Sequence, residues 1–295
     1  MLRNTIIFFT AALIAAVGLL AQPPGKGKGK GGVRPGAVVD GIRELKPNLY
    51  MITGGGANTL VRVTDEGLIL VDTKNPSSEA PMNHFDRMMD LIKSVTDKPV
   101  KYVINTQHHP DHVGNNQKFI DSGAHVIAGD KLSEHMAMDQ RTKDIPGRPQ
   151  ETFSNEKTLT LGDATVEMYF FGPGHTGGDT IVYFPKEKVV MVGDQMTDTN
   201  PIVDFANGGS AVHWNDSLNG TLALDFDTVI QGRGEPKTRA DVIAFRDKFQ
   251  TLLDRARAAV KAGATEANLG EKVAVDDLGW TFRGNFWKDL YNEIK

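Results

Sequence analysis

The 295-residue chain contains no cysteine. Disulfides and thiolate ligands are therefore excluded, and a metal would have to be held by His, Asp, Glu or amide oxygen. The absence leaves the compartment open, because a chain without thiols suits either redox setting. An excess of basic charge is also lacking. The net charge is −4, so no positive field advertises a nucleic-acid partner. No internal repeat is evident. The one long apolar run, Ile6 to Leu20, is short for a membrane span. Arg3 precedes it and Leu19-Leu20-Ala21 ends it on a small residue, which reads as a signal peptide over residues 1–21. The expectation is an exported protein, periplasmic or extracellular, with no stable membrane insertion after cleavage; an uncleaved anchor is the rival. Residues 22–37, rich in Gly, Lys and Pro, cannot bury apolar surface and read as a disordered linker.

From residue 38 to 295 strands and helices alternate with no internal linker, which predicts one α/β domain. Strand-like runs occur at Leu49–Ile52, Asn58–Val63, Leu68–Val71, Val100–Ile104, His125–Ala128, Thr165–Phe171, Ile181–Phe184, Val189–Val192 and Thr228–Ile230. Apolar residues at three- and four-residue steps predict helices over Ser78–Val95 and Arg239–Ala262, the second with Thr238 as N-cap and Gly263 closing it. Residues 265–295 read as a short helix and an irregular tail.

What stands out is Asn105-Thr106-Gln107-His108-His109-Pro110-Asp111-His112, directly after the strand ending at Ile104. Neutral imidazole and carboxylate are ordinary ligands of a divalent transition metal, and that density at a strand end has few structural explanations. Pro110 stiffens the loop. His175 lies in the Gly-rich loop 172–179, and Asp194 follows Gly193 at the end of another strand. Taken singly, Asp194 could cap a turn and His175 could bond its own loop. Together they suggest loops converging on a metal at one sheet end.

These motifs resemble those of the metallo-β-lactamase superfamily, whose pattern is His-x-His-x-Asp-His, a distant His, a strand-end Asp and a final His between glycines. The resemblance runs from about Asn58 to Gly263 and implies a four-layer αββα sandwich. It matches Asp72 to a structural aspartate, His109, Asp111 and His112 to the core motif, His175 to the distant His and Asp194 to the strand-end Asp. Two positions depart: Gln107 stands for the first His, and Arg233 for the last. The implied metal ligands are Gln107, His109, Asp111, His112, His175 and Asp194, with each of two metal positions short of one imidazole. His108 falls at a variable position, and His213 could line the pocket or sit on a helix surface.

The resemblance implies a zinc-dependent hydrolase of a small-molecule amide or ester, a β-lactam among the candidates, with one tightly bound zinc and at most a weak second. Zinc would bring the pKa of a bound water to about 7. Asp111 would orient the resulting hydroxide, and Arg233 would assist at the oxyanion. Arg233 could instead stand in for a second metal's charge, hold a substrate carboxylate, or repel the metal. The alternative is a catalytically degenerate protein that binds an anion through Arg233. Acidic net charge and the export signal argue against the family's nuclease branch.

Overall fold

The structure, a computed structural model, describes residues 36–295. The expected signal peptide and residues 22–35 of the expected linker lie outside the described residues. Gly36 and Ala37, assigned to the linker by composition, already bond to the body. The Gly36 carbonyl accepts from Gly55 N at 2.8 Å, and the Ala37 carbonyl meets His84 Nε2 at 3.0 Å.

A seven-stranded sheet runs in chain order: β1 (Val39–Lys46), β2 (Leu49–Gly54), β3 (Thr59–Val63), β4 (Leu68–Val71), β5 (Val100–Ile104), β6 (His125–Gly129) and β7 (Glu151–Phe153). Its first four strands are antiparallel, and β4 to β7 are parallel. A six-stranded sheet carries β8 (Glu156–Leu161), β9 (Ala164–Tyr169), β10 (Ile181–Phe184), β11 (Val189–Gly193), β12 (Thr228–Gln231) and β13 (Lys237–Thr238), also in chain order, with β11 and β12 parallel. The sequence reading missed β1. It is an edge strand, buried only at Val39, so it lacks the alternation that marks a strand with one face in a core.

The sheets pack face to face through Leu60, Ile69, Ile104 and Ile127 on one side and Val166, Val182, Met191 and Ile230 on the other. The outer face of the first sheet is covered by α1 (His84–Lys93) and α3 (Asn116–Asp121). A short helix α2 (Pro110–Val113) precedes α3, and α4 (Asp130–Met138) follows β6. The expected helix over 78–95 is trimmed at its start, because Pro81 disfavours helical backbone at Ala80. The outer face of the second sheet is covered by α5 (Trp214–Leu222), α6 (Arg239–Lys261), α7 (Leu269–Lys272) and α8 (Phe286–Ile294). The result is the αββα sandwich.

Thr238 caps α6 as the sequence implies: its hydroxyl accepts from Asp241 N, and the Asp241 carboxylate accepts from Thr238 N at 2.8 Å. The face of α6 at Val242, Phe245, Phe249, Leu252 and Ala256 is buried. The C-terminal tail is more regular than expected, since α7 and α8 fold back on α6. Among the described residues no helix is long and apolar enough to cross a membrane.

Candidate metal centre

Four parallel strands deliver the site. β4 and β5 in one sheet, and β11 and β12 in the other, end at Val71, Ile104, Gly193 and Gln231. Asp72, Asp194 and Gly232-Arg233 follow their strands at once, Gln107 to His112 begin two residues beyond theirs, and His175 is added by the loop between β9 and β10. Ligand sites in open α/β sheets form outside the carboxyl ends of strands in the same way. Backbone bonds lock the two sheet ends together, Asn58 N donating to Gly232 O at 2.7 Å and Thr180 N to Thr106 O at 2.7 Å. Gly232 has to be glycine, since a Cβ there would lie 1.8 Å from Asp194 Oδ1.

Asp72 is fully buried and organises the His-rich loop. Its carboxylate accepts from Thr106 N at 2.8 Å, Thr106 Oγ1 at 2.7 Å and His112 Nδ1 at 2.7 Å. The His175 loop is held by buried Asp179, which accepts from Thr176 N at 2.9 Å and Thr176 Oγ1 at 2.6 Å. Burial raises the Asp179 pKa, although His175 and the Thr176 donors oppose the shift.

His109 and His175 meet across the centre, Nδ1 to Nε2 at 3.1 Å. The outer nitrogens decide their tautomers. His175 Nδ1 lies 2.6 Å from the Ile202 carbonyl, which only accepts, so Nδ1 carries the proton. His109 Nε2 lies 2.8 Å from the Asp204 carboxylate. Arg141 Nη2 also approaches that nitrogen, at 3.0 Å, but it already donates to Asp204 and Asp139, so the His109 proton goes to Asp204. Burial keeps His109 below the ordinary imidazole pKa, despite the Asp204 bond. With the outer nitrogens protonated in this way, His109 Nδ1 and His175 Nε2 turn lone pairs toward each other, an arrangement that a cation between them relieves. Asp194 Oδ2 lies 3.7 Å from His175 Nε2, and the three ligand atoms fall within 4.8 Å of one another. This donor set fits a divalent metal.

Gln107 reaches the same place with the other end of its amide. Its oxygen accepts from His109 N at 3.1 Å, while Nε2 points at Asp194 Oδ2, 3.2 Å away, and at His112 Nε2, 2.9 Å away. To ligate a metal the amide would have to turn over.

The neighbouring position is occupied by charge of the chain's own. Arg233 Nη1 donates to Asp194 Oδ2 at 2.7 Å, and Nη2 donates to Asp111 Oδ2. His112 Nε2 lies 3.6 Å from Asp194 and 3.8 Å from Asp111. Burial opposes charge on His112, but Asp72 and Asp111 outweigh it and hold the pKa well above the ordinary imidazole value. Burial likewise opposes ionisation of Asp194, and His112, His175 and Arg233 hold it well below the carboxylate range. The donors here do not fit a second ion while Arg233 engages both carboxylates.

All the residues expected from sequence converge here except the two without an assigned ligand role. His108 is buried beside the centre with Nε2 on Asp139 at 3.1 Å, and burial lowers its pKa to about 3. His213 is the exposed N-cap residue of α5, where Nδ1 meets Asp216 at 2.9 Å. Sequence reasoning missed Asp204, Arg141 and Asp139. Burial would raise Asp204, but bonds from His109, Arg141 and Asn207 hold it well below its usual range. No motif marks these residues, because their partners are brought in by other loops. The centre opens into a cavity of about 410 Å³ lined by His109, Asp111, Arg141, His175, Asp194 and Arg233, among others.

A family profile described as the metallo-beta-lactamase superfamily matches residues 52–233, more than half of the chain. The chain belongs to this superfamily, a family of hydrolases that typically bind metal, often zinc. It is 26% identical over 234 residues to the 2,4-dinitroanisole O-demethylase subunit alpha of Nocardioides sp. (strain JS1661), covering 77% of this chain and 67% of that one. It is 31% identical over 160 residues to a type 2 metallo-beta-lactamase of Elizabethkingia meningoseptica, covering 52% of this chain and 60% of the relative. The fold is similar to that of a metallo-beta-lactamase from Pontibacter korlensis, with TM-score 0.61 and 20% identity over 71% of this chain and 98% of that one. It is also similar to a sec-alkylsulfatase from Pseudomonas sp., with TM-score 0.67 and 19% identity over 85% of this chain and 47% of that one.

Proposed function

We propose that the chain is an exported hydrolase of small-molecule esters or amides that works with one tightly held divalent metal, zinc in the first instance. The observation that carries this reading is the pair of facing lone pairs on His109 and His175 with Asp194 beside them. A divalent ion bound there would polarise the scissile carbonyl and make water a nucleophile near neutral pH. Asp204 is a positioning residue: it fixes the His109 proton on Nε2 and so leaves Nδ1 for the metal. Asp111 has one oxygen engaged by Arg233, and the other has no partner among the described residues. That oxygen accepts a proton from the attacking water. Arg233, half-exposed on the cavity wall, supplies fixed positive charge where negative charge develops on the substrate oxygen. It thereby takes part of the role a second metal would have.

The support for export is the N-terminal pattern around Ile6–Leu20 and Ala21. Support for the substrate class comes from the family. The names of the relatives include β-lactamases, an O-demethylase subunit and an alkylsulfatase, so a β-lactam is one candidate among several.

The test combines elemental analysis with initial rates on a chromogenic β-lactam and on p-nitrophenyl esters, before and after chelation. About one zinc per chain after dialysis, with hydrolysis lost on chelation and restored by zinc, is the expected result. Failure to take up metal in excess zinc would overturn the hydrolase reading in favour of an anion-binding protein that uses Arg233.

A further inference from the structure

Beyond Arg233, where the family match ends, the chain adds α6, α7 and α8. The stretch leading into α8 faces the loop after Asp194 across a groove of about 610 Å³. Val203 and Phe205 stand on the loop side, and Phe282 and Phe286 on the other. The last two rings stack with centroids 3.9 Å apart. A reciprocal clasp fixes the junction: Thr281 N donates to Asn200 Oδ1 at 3.0 Å, and Asn200 Nδ2 donates back to the Thr281 carbonyl.

The groove adjoins the metal cavity, and Thr199, Asn200 and Ile202 form a wall common to both. Ile202 joins the two physically. Its carbonyl accepts from the ligand histidine, His175, at 2.6 Å, while its side chain is 66% exposed. Most of this large aliphatic side chain therefore stands in water where the two cavities adjoin. Covering it with substrate would remove apolar surface from water on binding. Both cavities fall in the size range of small-molecule sites.

We propose that this groove receives an apolar arm, alkyl or aryl, of the substrate whose scissile bond lies at His109, His175 and Asp194. The inference rests on the hydrolase reading for the scissile bond, and on the shared wall for the arm. Arg283 and Asp289 also line the groove.

The test is calorimetric titration of the zinc-loaded full chain with straight-chain carboxylates from butanoate to decanoate, alongside initial rates on the matching p-nitrophenyl esters. Affinity is expected to tighten about threefold per added methylene until the groove is filled. Ile202→Asn and Phe282→Ser should flatten that series. Zinc content and thermal melts serve as folding controls. Should Phe282→Ser fail to fold, Ile202→Asn still decides, since its side chain already stands in solvent. A flat series in the wild type, or an unchanged slope in Ile202→Asn, overturns the proposal. So does a dimer that Ile202→Asn dissociates without any chain-length dependence, which would give the face to a second copy. A steep binding series with no ester hydrolysis keeps the groove and removes the hydrolase reading instead.

Discussion

Both halves of the centre draw His and Asp from loops where the two sheets meet, yet they differ in what satisfies them. On one side, His109 and His175 spend their outer nitrogens on Asp204 and the Ile202 carbonyl and turn unspent lone pairs toward each other. On the other, Asp111 and Asp194 already share the guanidinium of Arg233, and His112 is held toward its charged form by Asp72 and Asp111. Donor count does not separate the halves. Asp194 serves both halves and is engaged by Arg233 in either; the difference lies in the imidazoles, since only His109 and His175 keep lone pairs that no internal donor has claimed.

The largest effect expected is on the first half. His175→Ala or His109→Ala removes one of the two facing lone pairs and should drop zinc content after dialysis to about a tenth or less, with activity falling at least 100-fold. His108→Ala is the control. It should leave zinc in place, because His108 points at Asp139 instead. Zinc lost in His108→Ala and kept in His109→Ala would put the ligand register one residue out.

Replacing Arg233 probes the other half. Arg233→His frees Asp111 and Asp194 from the guanidinium and supplies an imidazole, so zinc content in excess metal should rise toward two per chain. Arg233→Ala leaves both carboxylates without their cation and should lower the rate by about 10- to 100-fold. Identical zinc content and rates for wild type and both variants would break the contrast between the halves.

A smaller effect is expected at Lys74, a second internal cation on the same side. It is fully buried and donates to the carbonyls of Ile52 at 2.8 Å and Ala57 at 2.6 Å. Burial lowers its pKa to about 7, even though Asp72, Asp40 and Asp111 oppose the shift. A folded-state pKa below the unfolded value means that the unfolded chain binds more protons between the two. This group's contribution to stability should therefore rise as pH increases from about 7 toward 10, the direction being set by linkage. Lys74→Met should show a shallower rise in denaturation midpoint over that window than wild type. Parallel curves would mean that the Lys74 proton is not released on folding.

Much of the frame was legible because its signals are local. The strands at 68–71, 100–104 and 181–184 announce themselves as short apolar runs between turns, and α6 carries its own capping box and apolar stripe. The edge strand at 39–46 and the helix at 130–138 escaped, the first because only Val39 is buried, the second because only Leu132 and Met136 are. His213 was undecidable in sequence, and the structure places it in solvent at the N-cap of α5.

The sequence by itself determined the candidate ligand types, their positions after strands, and the placing of Gln107 and Arg233 among them. Only the tertiary structure decided how these groups are paired. Asp204 comes to His109 from 95 residues away, and Arg233 reaches Asp194 and Asp111 across 39 and 122 residues. Hydrogen bonds and charge act through space over a few ångströms, whereas sequence spacing reports neighbours only within a helical turn or along a strand. Which loops meet at the ends of the two sheets is set by the packing of the core between them, and that meeting fixes which carboxylates are free for a metal.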